Sequence, residues 1–236
     1  MTEKPPPPPE GGPDEAMLEE ILSRLQGGEF ERWIDLASAV LLSVAIVASA
    51  FSAWQATLWS GVQATSYTEA SSKRLQSNAA LTTALTEISY DATSFALGAV
   101  EYFKGDQEAV DFFSERLFRD EFKPALEAWL ATEPLKNPEA AKTPFDLPEY
   151  TNADLEESSR LQEEAEAKFE EGKEANQNGD DYILATVGFA SVLFFAGVTT
   201  KFKSPRVRVL SLLVAVAAFG VGMTWMVGLP RLDVGF

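Results

Sequence analysis

The stretch IDLASAVLLSVAIVASAFSAWQATL, residues 34–58, decides the fold class of this chain. It carries Asp35 at its edge and no charged residue further in. At a rise of about 1.5 Å per residue, a helix of this length crosses a hydrocarbon core of about 30 Å. The stretch therefore predicts a membrane-spanning helix rather than a buried helix of a soluble domain.

Two more apolar stretches without charged residues follow late in the chain, at residues 182–200 and 209–229. Aromatic residues stand near the ends of the three stretches, where Trp and Tyr favour the interface between lipid and water. The predicted fold is therefore all-α: an integral membrane protein with three transmembrane helices and a helical-bundle extramembrane domain over residues 59–181. The interfacial aromatic residues are Trp33, Trp54, Trp59, Tyr182 and Trp225.

The short loop between the second and third stretches sets the predicted orientation. Since loops rich in Lys and Arg stay in the cytoplasm, this loop and the N-terminus are predicted to be cytoplasmic. Residues 59–181 and the tail 230–236 then lie outside. Lys73 and Arg74 oppose this orientation, but they lie about 15 residues beyond the first span, where the rule weakens. The basic residues of the loop are Lys201, Lys203, Arg206 and Arg208.

Two short segments precede the first span. Residues 1–13 include five consecutive prolines and a Gly-Gly pair, a composition typical of a disordered tail. Residues 14–28 place their apolar side chains on one helical face and end in Gly27-Gly28, which predicts a short amphipathic helix. The opposite face of this helix is acidic, which favours a protein partner over anionic lipid.

The composition excludes several kinds of chemistry. The chain has no cysteine and no histidine, so disulfides, Cys/His zinc sites and catalysis by a thiol or a histidine base are excluded. We find no phosphate-binding glycine loop and no nucleophile elbow, and we predict no catalytic residue, cofactor site or metal site. The net charge of −17 disfavours nucleic acid as a partner.

Two acidic features are candidates for cation binding and for proton transport. Four glutamates line one side of a predicted helix, but a single helix face encloses a cation poorly, so we interpret them as a solvated face. Asp35 is interpreted as a helix-end charge rather than a transport group. The four glutamates are Glu163, Glu166, Glu170 and Glu174.

One face of the first span consists of small and polar residues. Such a face either packs closely against another helix or lines a wet pore. In a helix that continues past Gly61, the same face becomes a heptad seam, as in a coiled coil. Packing explains both the small, polar face inside the span and the heptad seam beyond it. We therefore favour packing, within one subunit or between copies, over a pore. The small, polar face comprises Ser38, Ala45, Ser49, Ser52, Ala56, Ser60 and Gln63. The predicted seam comprises Leu81, Leu85, Ile88, Ala92, Phe95, Ala99 and Tyr102.

Between the first and second spans, the sequence predicts helix as far as Gly105 and a second helix over residues 107–131, interrupted near Pro124. A proline-rich loop over residues 133–148 and a charged helix over residues 152–175 follow. The run Asn178-Gly179-Asp180-Asp181 is predicted to break that helix, with the aspartates capping the second span.

The run Phe51-Ser52-Ala53-Trp54-Gln55-Ala56-Thr57-Leu58-Trp59-Ser60-Gly61, followed by a helical segment and a closing pair of spans, resembles bacterial membrane proteins of unknown function with the same one-plus-two layout. The resemblance implies a bacterial cytoplasmic membrane and carries no activity. The sequence thus predicts a non-enzymatic, self-associating scaffold or sensor with an acidic outer domain. The alternative is an oligomeric, cation-preferring ion channel lined by the first span. Expected partners are the lipid bilayer, further copies of the chain, and a protein at the cytoplasmic N-terminal helix.

Overall fold

The computed structural model describes residues 13–233, with side chains from residue 28 onward. The predicted tail, apart from Pro13, and the side chains of the predicted amphipathic helix lie outside the described part. Within it, the chain is helical without any strand. The helices are α1 (Pro13–Lys104), α2 (Gln107–Phe112), α3 (Lys123–Ala131), α4 (Ala153–Thr199) and α5 (Pro205–Gly228).

The chain forms two compact units. The acidic unit comprises Ala64–Gly172, and the span unit comprises the described residues up to Gln63 and from Lys173 onward. Helices α1 and α4 each supply residues to both units. The span unit contains the apolar segments of the three helices that are long and apolar enough to cross a membrane, α1, α4 and α5. The predicted all-α class and the three candidate spans are therefore confirmed.

The core of the span unit is built largely from small residues. Ala45 of α1, Val192 and Ala196 of α4 and Ala215 of α5 form one buried cluster. A second cluster surrounds Tyr182 and Phe189 of α4, both fully buried. A Cβ at Gly222 of α5 would lie 3.1 Å from the Phe189 ring, so glycine lets the two helices approach closely there. Small residues at helix contacts are typical of packing inside membranes, where backbones come close together.

In the acidic unit, α1 and α4 run antiparallel. Successive contacts advance along α1 and retreat along α4: Glu69 with Lys168 at 3.1 Å, Lys73 with Glu164, and Ser77 with Ser158 at 3.1 Å between hydroxyls. Every seventh residue of α1 is buried in this unit, and none of these residues is large. They are Ala70, Ser77, Ala84, Asp91 and Gly98; the buried residues of α4 in the same unit include Ser158, Leu161, Ala165 and Gly172.

The predicted heptad seam of the acidic unit is therefore wrong in phase. Leu85 and Tyr102 are 53% and 56% exposed, and Ala92 is also exposed. Leu81, Ile88, Phe95 and Ala99 are only partly buried. The physical reason is close approach: apart from Leu161, the buried residues of α1 and α4 in this unit are smaller than leucine, which leaves most of the large residues at the edges of the contact.

Two predicted helix breaks are absent. Helix α1 continues through Gly27 and Gly28, and α4 continues through the run at 178–181. Asn178 and Gly179 are buried, and the Gly179 Cβ position lies 3.6 Å from the Trp59 Cβ of α1. Packing of this kind overrides the low helix propensity of Gly and Asn. Asp180 caps no helix end and instead accepts a hydrogen bond from Asn176 at 3.2 Å.

The middle of the acidic unit agrees more closely with the prediction from the sequence. Helix α1 ends at Lys104, followed by Gly105, whose φ of +77° suits glycine. Asp106 caps α2, which passes into a π-helical turn, and Pro124 lies in the first turn of α3. The predicted helix over 107–131 is thus two helices. The proline-rich segment contains only the short 3₁₀ turn Pro144–Asp146, and Asn152 caps α4 through a 2.9 Å bond from the Leu155 N–H.

Candidate functional site

The small, polar face of the first span lies mostly inside the span unit. Ser38, Ala45, Ser52 and Ala56 are buried, Ser49 and Gln63 are partly buried, and Ser60 is exposed. Ser52 contacts the Met226 sulfur of α5 at 3.3 Å, and Gln63 donates to Asn176 of α4 at 2.8 Å. Within a single chain, α4 and α5 thus occupy the face that a pore would need.

One of the four basic residues predicted to determine the topology differs from the others. Lys201, Lys203 and Arg206 are exposed, whereas Arg208 is buried and pairs with Asp35 of α1. Glu31 lies 4.0 Å from the same guanidinium. Asp35, interpreted from the sequence as a helix-end charge, therefore joins the beginning of α5 to α1.

At the other end of these helices, the side chain of Gln55 holds the C-terminal segment. Its amide accepts from the Leu232 N–H at 3.0 Å and donates to the Leu232 carbonyl at 3.1 Å, as a neighbouring strand would. Trp59 and Tyr182 both donate to the Pro230 carbonyl, at 3.3 and 3.2 Å. Residues 230–232, after α5, are thus fixed through their backbone.

The acidic unit contains a buried carboxylate, Asp91, which is 1% exposed. Arg119 lies 3.2 Å from one carboxylate oxygen, and the Tyr150 hydroxyl donates to the same oxygen at 3.2 Å. Burial raises the pKa of Asp91, and Arg119 partly offsets this. Burial and the negative charge of Asp91 together raise the pKa of Tyr150 to about 12. Asp91 thus joins α1 to the chain before α3 and before α4.

A cavity of about 350 Å³ lies in the acidic unit. Its volume falls at the lower end of the range of small-molecule pockets, roughly 300–1,000 Å³. Six aromatic rings contribute to its wall, and they come from the end of α1, the π-helical turn, the segment after it and α3. They belong to Phe95, Tyr102, Phe103, Phe113, Phe118 and Trp129.

Local folding explains why these rings surround a space instead of filling it. Phe113 lies in the π-helical turn, and Phe118 follows directly in extended conformation, so the chain reverses before α3. A Cβ at Gly98 of α1 would lie 3.0 Å from the Phe118 ring, so any larger residue there would push this ring. Trp129 is held from behind by a 2.7 Å bond from its indole N–H to the Ala141 carbonyl.

Few polar groups face the cavity. The charged ones are Glu133 and Lys136, whose side chains are 66% and 77% exposed and lie 3.4 Å apart. Glu133 has a φ of +48°, which is uncommon for a residue with a side chain. The sequence did not indicate this cavity. Phe145 and Tyr150 lie outside its wall and pack 4.9 Å apart against Phe122.

Among the side chains from residue 28 to 233, no group of three or more acidic residues is arranged to hold a metal ion. Glu163, Glu166, Glu170 and Glu174 provide no such group. Glu166 instead pairs with Arg74 at 3.3 Å.

Comparison of the chain with known protein families, curated proteins and solved structures finds no match. The fold defines an all-helical protein with three helices able to span a membrane and a separate acidic helical unit. Within this class, the function rests on the geometry alone.

Proposed function

We propose that this chain is a non-enzymatic sensor of a bacterial cytoplasmic membrane. Its span unit lies in the bilayer, and its acidic unit binds a small, largely apolar molecule in the aromatic cavity. The cavity is the observation that carries the proposal, because a pocket with an apolar wall and few polar groups is the usual form of a small-molecule site.

Support for the membrane location comes from the exposed side chains of the span unit. In the most apolar window of α1, α4 and α5, only 22%, 33% and 11% of the residues are buried. The rest leave large apolar side chains uncovered, for example Val47 and Val221, each 69% exposed. No charged residue occurs in residues 36–68, 182–200 or 209–230. Lipid is the solvent that suits such a surface.

Support for a sensor over a rigid scaffold comes from α1. One helix supplies Phe95, Tyr102 and Phe103 to the cavity and Ala45 and Ser52 to the core of the span unit. A ligand that orders the end of α1 therefore acts on a helix that also supplies residues to the span unit. In the acidic unit, α1 buries every seventh residue and pairs with α4, for example through Ser77 and Ser158.

The proposal is tested by binding of a neutral apolar fluorophore, 1-aminoanthracene, to the full chain in lipid nanodiscs. We expect saturable binding that Ala99→Trp abolishes, because Ala99 lines the cavity and the indole would fill it. Ala96→Trp is the matched control, since Ala96 lies on the same helix but is exposed and outside the cavity wall. Circular dichroism verifies that both variants fold. Equal binding by both variants would contradict the proposal.

Self-association remains a prediction with two grounds. The packing face of the first span is mostly covered by α4 and α5 of the same chain, whereas the side chains of the predicted amphipathic helix lie outside the described part. Mass photometry in detergent tests self-association. A single species at the mass of one chain, 25.8 kDa plus bound detergent, would contradict the prediction. The same burial leaves no structural observation that favours the channel.

A further inference from the structure

The acidic unit combines an apolar pocket with a strongly negative net charge. The cavity wall is almost wholly apolar and rich in aromatic rings. The unit around it, residues 64–172, has 23 acidic and 10 basic residues, a net charge of −13. We propose that the ligand of this cavity is a hydrophobic cation, an amine or quaternary ammonium ion with an aromatic or aliphatic body. This inference rests on the proposed function and specifies its ligand class.

The apolar body of the ligand follows from the wall. Apart from Glu133, Lys136 and the Ser114 hydroxyl, the side chains around the space are apolar or aromatic. The Ser114 hydroxyl already donates to the Asp111 carbonyl at 3.0 Å. A strongly hydrated molecule such as a sugar would lose its hydrogen bonds to water here and regain few, whereas burying apolar surface is favourable.

The positive charge of the ligand follows from the aromatic rings of the cavity wall and from the electrostatic field of the acidic unit. Aromatic faces attract cations, most strongly where water is excluded. Phe103 is suited to this role because it lines the cavity while its side chain is 72% exposed, so its ring stands at the mouth. A net charge of −13 raises the local concentration of cations and repels carboxylates and phosphates. A fatty acid, which would match the wall, is therefore disfavoured by the field.

Glu133 supplies the local anion. Its positive φ of 48° lies between two turns, where its carbonyl accepts from the Lys136 and Asn137 N–H groups at 2.8 and 2.9 Å. This turn places a carboxylate among the residues around the cavity. Lys136 now lies 3.4 Å from that carboxylate, and an arriving ammonium group would take the place of the lysine.

The test uses three probes of equal length: a phenylpropyl trimethylammonium ion, the corresponding neutral alcohol and the corresponding sulfonate. Each is measured by equilibrium dialysis against the full chain in phosphatidylcholine nanodiscs, with empty nanodiscs as the blank. We expect the cation to bind more tightly than the alcohol and the sulfonate not to bind. Raising the salt concentration should weaken cation binding, because salt screens the field of the acidic unit.

Two exposed charges provide variants with opposite expected signs. Glu133→Gln should weaken cation binding by roughly two- to five-fold, and Lys136→Gln should strengthen it by a similar factor, as expected for exposed ion pairs. Neither should change binding of the alcohol. Phe103→Leu should weaken cation binding by roughly two- to thirty-fold, because it removes a π face but keeps an apolar side chain. Phe112→Leu is its control, since Phe112 is 55% exposed and lies outside the cavity wall.

The outcomes separate the inference from the proposed function. Binding of the alcohol or the sulfonate without preference for the cation would overturn the inference and leave the sensor proposal standing. Failure of all three probes, in a chain that circular dichroism shows to be helical, would overturn both. Cation binding that responds equally to Phe103→Leu and Phe112→Leu would place the site elsewhere and overturn the inference.

Discussion

At the scale of single residues, Asp91 should make the stability of the acidic unit depend on pH. Burial raises its pKa above the ordinary value of 3.8, so the folded chain holds this proton more tightly than the unfolded chain does. The contribution of Asp91 to stability is then largest below the unfolded pKa and declines as the pH rises through the folded pKa. We expect the free energy of unfolding of wild type minus that of Asp91→Asn to fall as the pH rises from about 4 to 7.

Denaturant titrations of the full chain at several pH values measure this difference. Asp120→Asn is the control with the opposite sign, because a hydrogen bond from Lys123 lowers the pKa of Asp120. Asp120 therefore contributes stability that is lost as the pH falls, and its difference should rise with pH. A difference for Asp91 that rises like that for Asp120 would show that Arg119, rather than burial, dominates.

Gly172 offers a second test on a single residue. A Cβ at this position would lie 2.5 Å from ring atoms of Tyr67, which stacks on Phe169 at 5.4 Å between centroids. We expect Gly172→Ala to lower the free energy of unfolding by about 1–2 kcal/mol, since overpacking outweighs the higher helix propensity of alanine. Thermal and denaturant unfolding measure it.

Gly61→Ala is the matched substitution for this test. Nothing lies within 4 Å of its Cβ position, so it should stabilise α1 by up to about 1 kcal/mol. Equal effects of the two substitutions would show that the Tyr67 ring moves aside at no cost.

At the scale of helices, the contact between α1 and α4 depends on small side chains. Ala84 is fully buried and its neighbour Leu85 is 53% exposed, so the two residues separate the observed contact from the predicted seam. We expect Ala84→Leu to destabilise the acidic unit by about 1–3 kcal/mol through overpacking. Leu85→Ala should change stability by about 0.5 kcal/mol or less, as for other surface substitutions. Denaturant unfolding of both variants measures these changes. A larger loss of stability with Leu85→Ala than with Ala84→Leu would favour the predicted seam over the observed contact.

The phase of this contact could not be predicted from hydropathy. Leu81, Leu85 and Ile88 are the large apolar residues of the segment, and burial of large apolar residues is the usual assumption. The alternative at Ser77, Ala84 and Asp91 buries a hydroxyl and a carboxylate. It becomes favourable only with partners from other segments: Ser158 for Ser77, and Arg119 and Tyr150 for Asp91. A single helix does not show which residues will meet it.

At the scale of the whole molecule, membrane insertion and orientation are tested together, because the chain has no native cysteine. A membrane-impermeant maleimide should label Thr82→Cys in intact spheroplasts and Lys203→Cys only after permeabilisation, as the positive-inside rule predicts. Ala45→Cys and Ser52→Cys should stay unreactive throughout, since both positions are buried. Labelling of Lys203→Cys in intact spheroplasts would show that the orientation is opposite to the predicted one. Reaction at positions 45 and 52 would favour the channel.

The spans could be predicted because they depend on a local property of the sequence. The cavity could not, because it depends on contacts between distant segments. Hydropathy over residues 34–58, 182–200 and 209–229 is a local property, and it suffices to identify helices able to cross a membrane. The cavity depends on Gly98 of α1 facing Phe118, and on a π-helical turn that no local pattern indicates. Its walls come from segments up to about 40 residues apart, which only tertiary contacts bring together.

The antiparallel match between α1 and α4 also restricts how the acidic unit can change length in evolution. Inserting one residue into either helix would rotate everything beyond it by about 100° and turn Ala84 or Ala165 out of the contact. An insertion of seven residues in α1 preserves the rotation but shifts Lys73 past Glu164, unless α4 gains seven as well. Tolerated insertions and deletions in these helices should therefore occur in paired steps of seven.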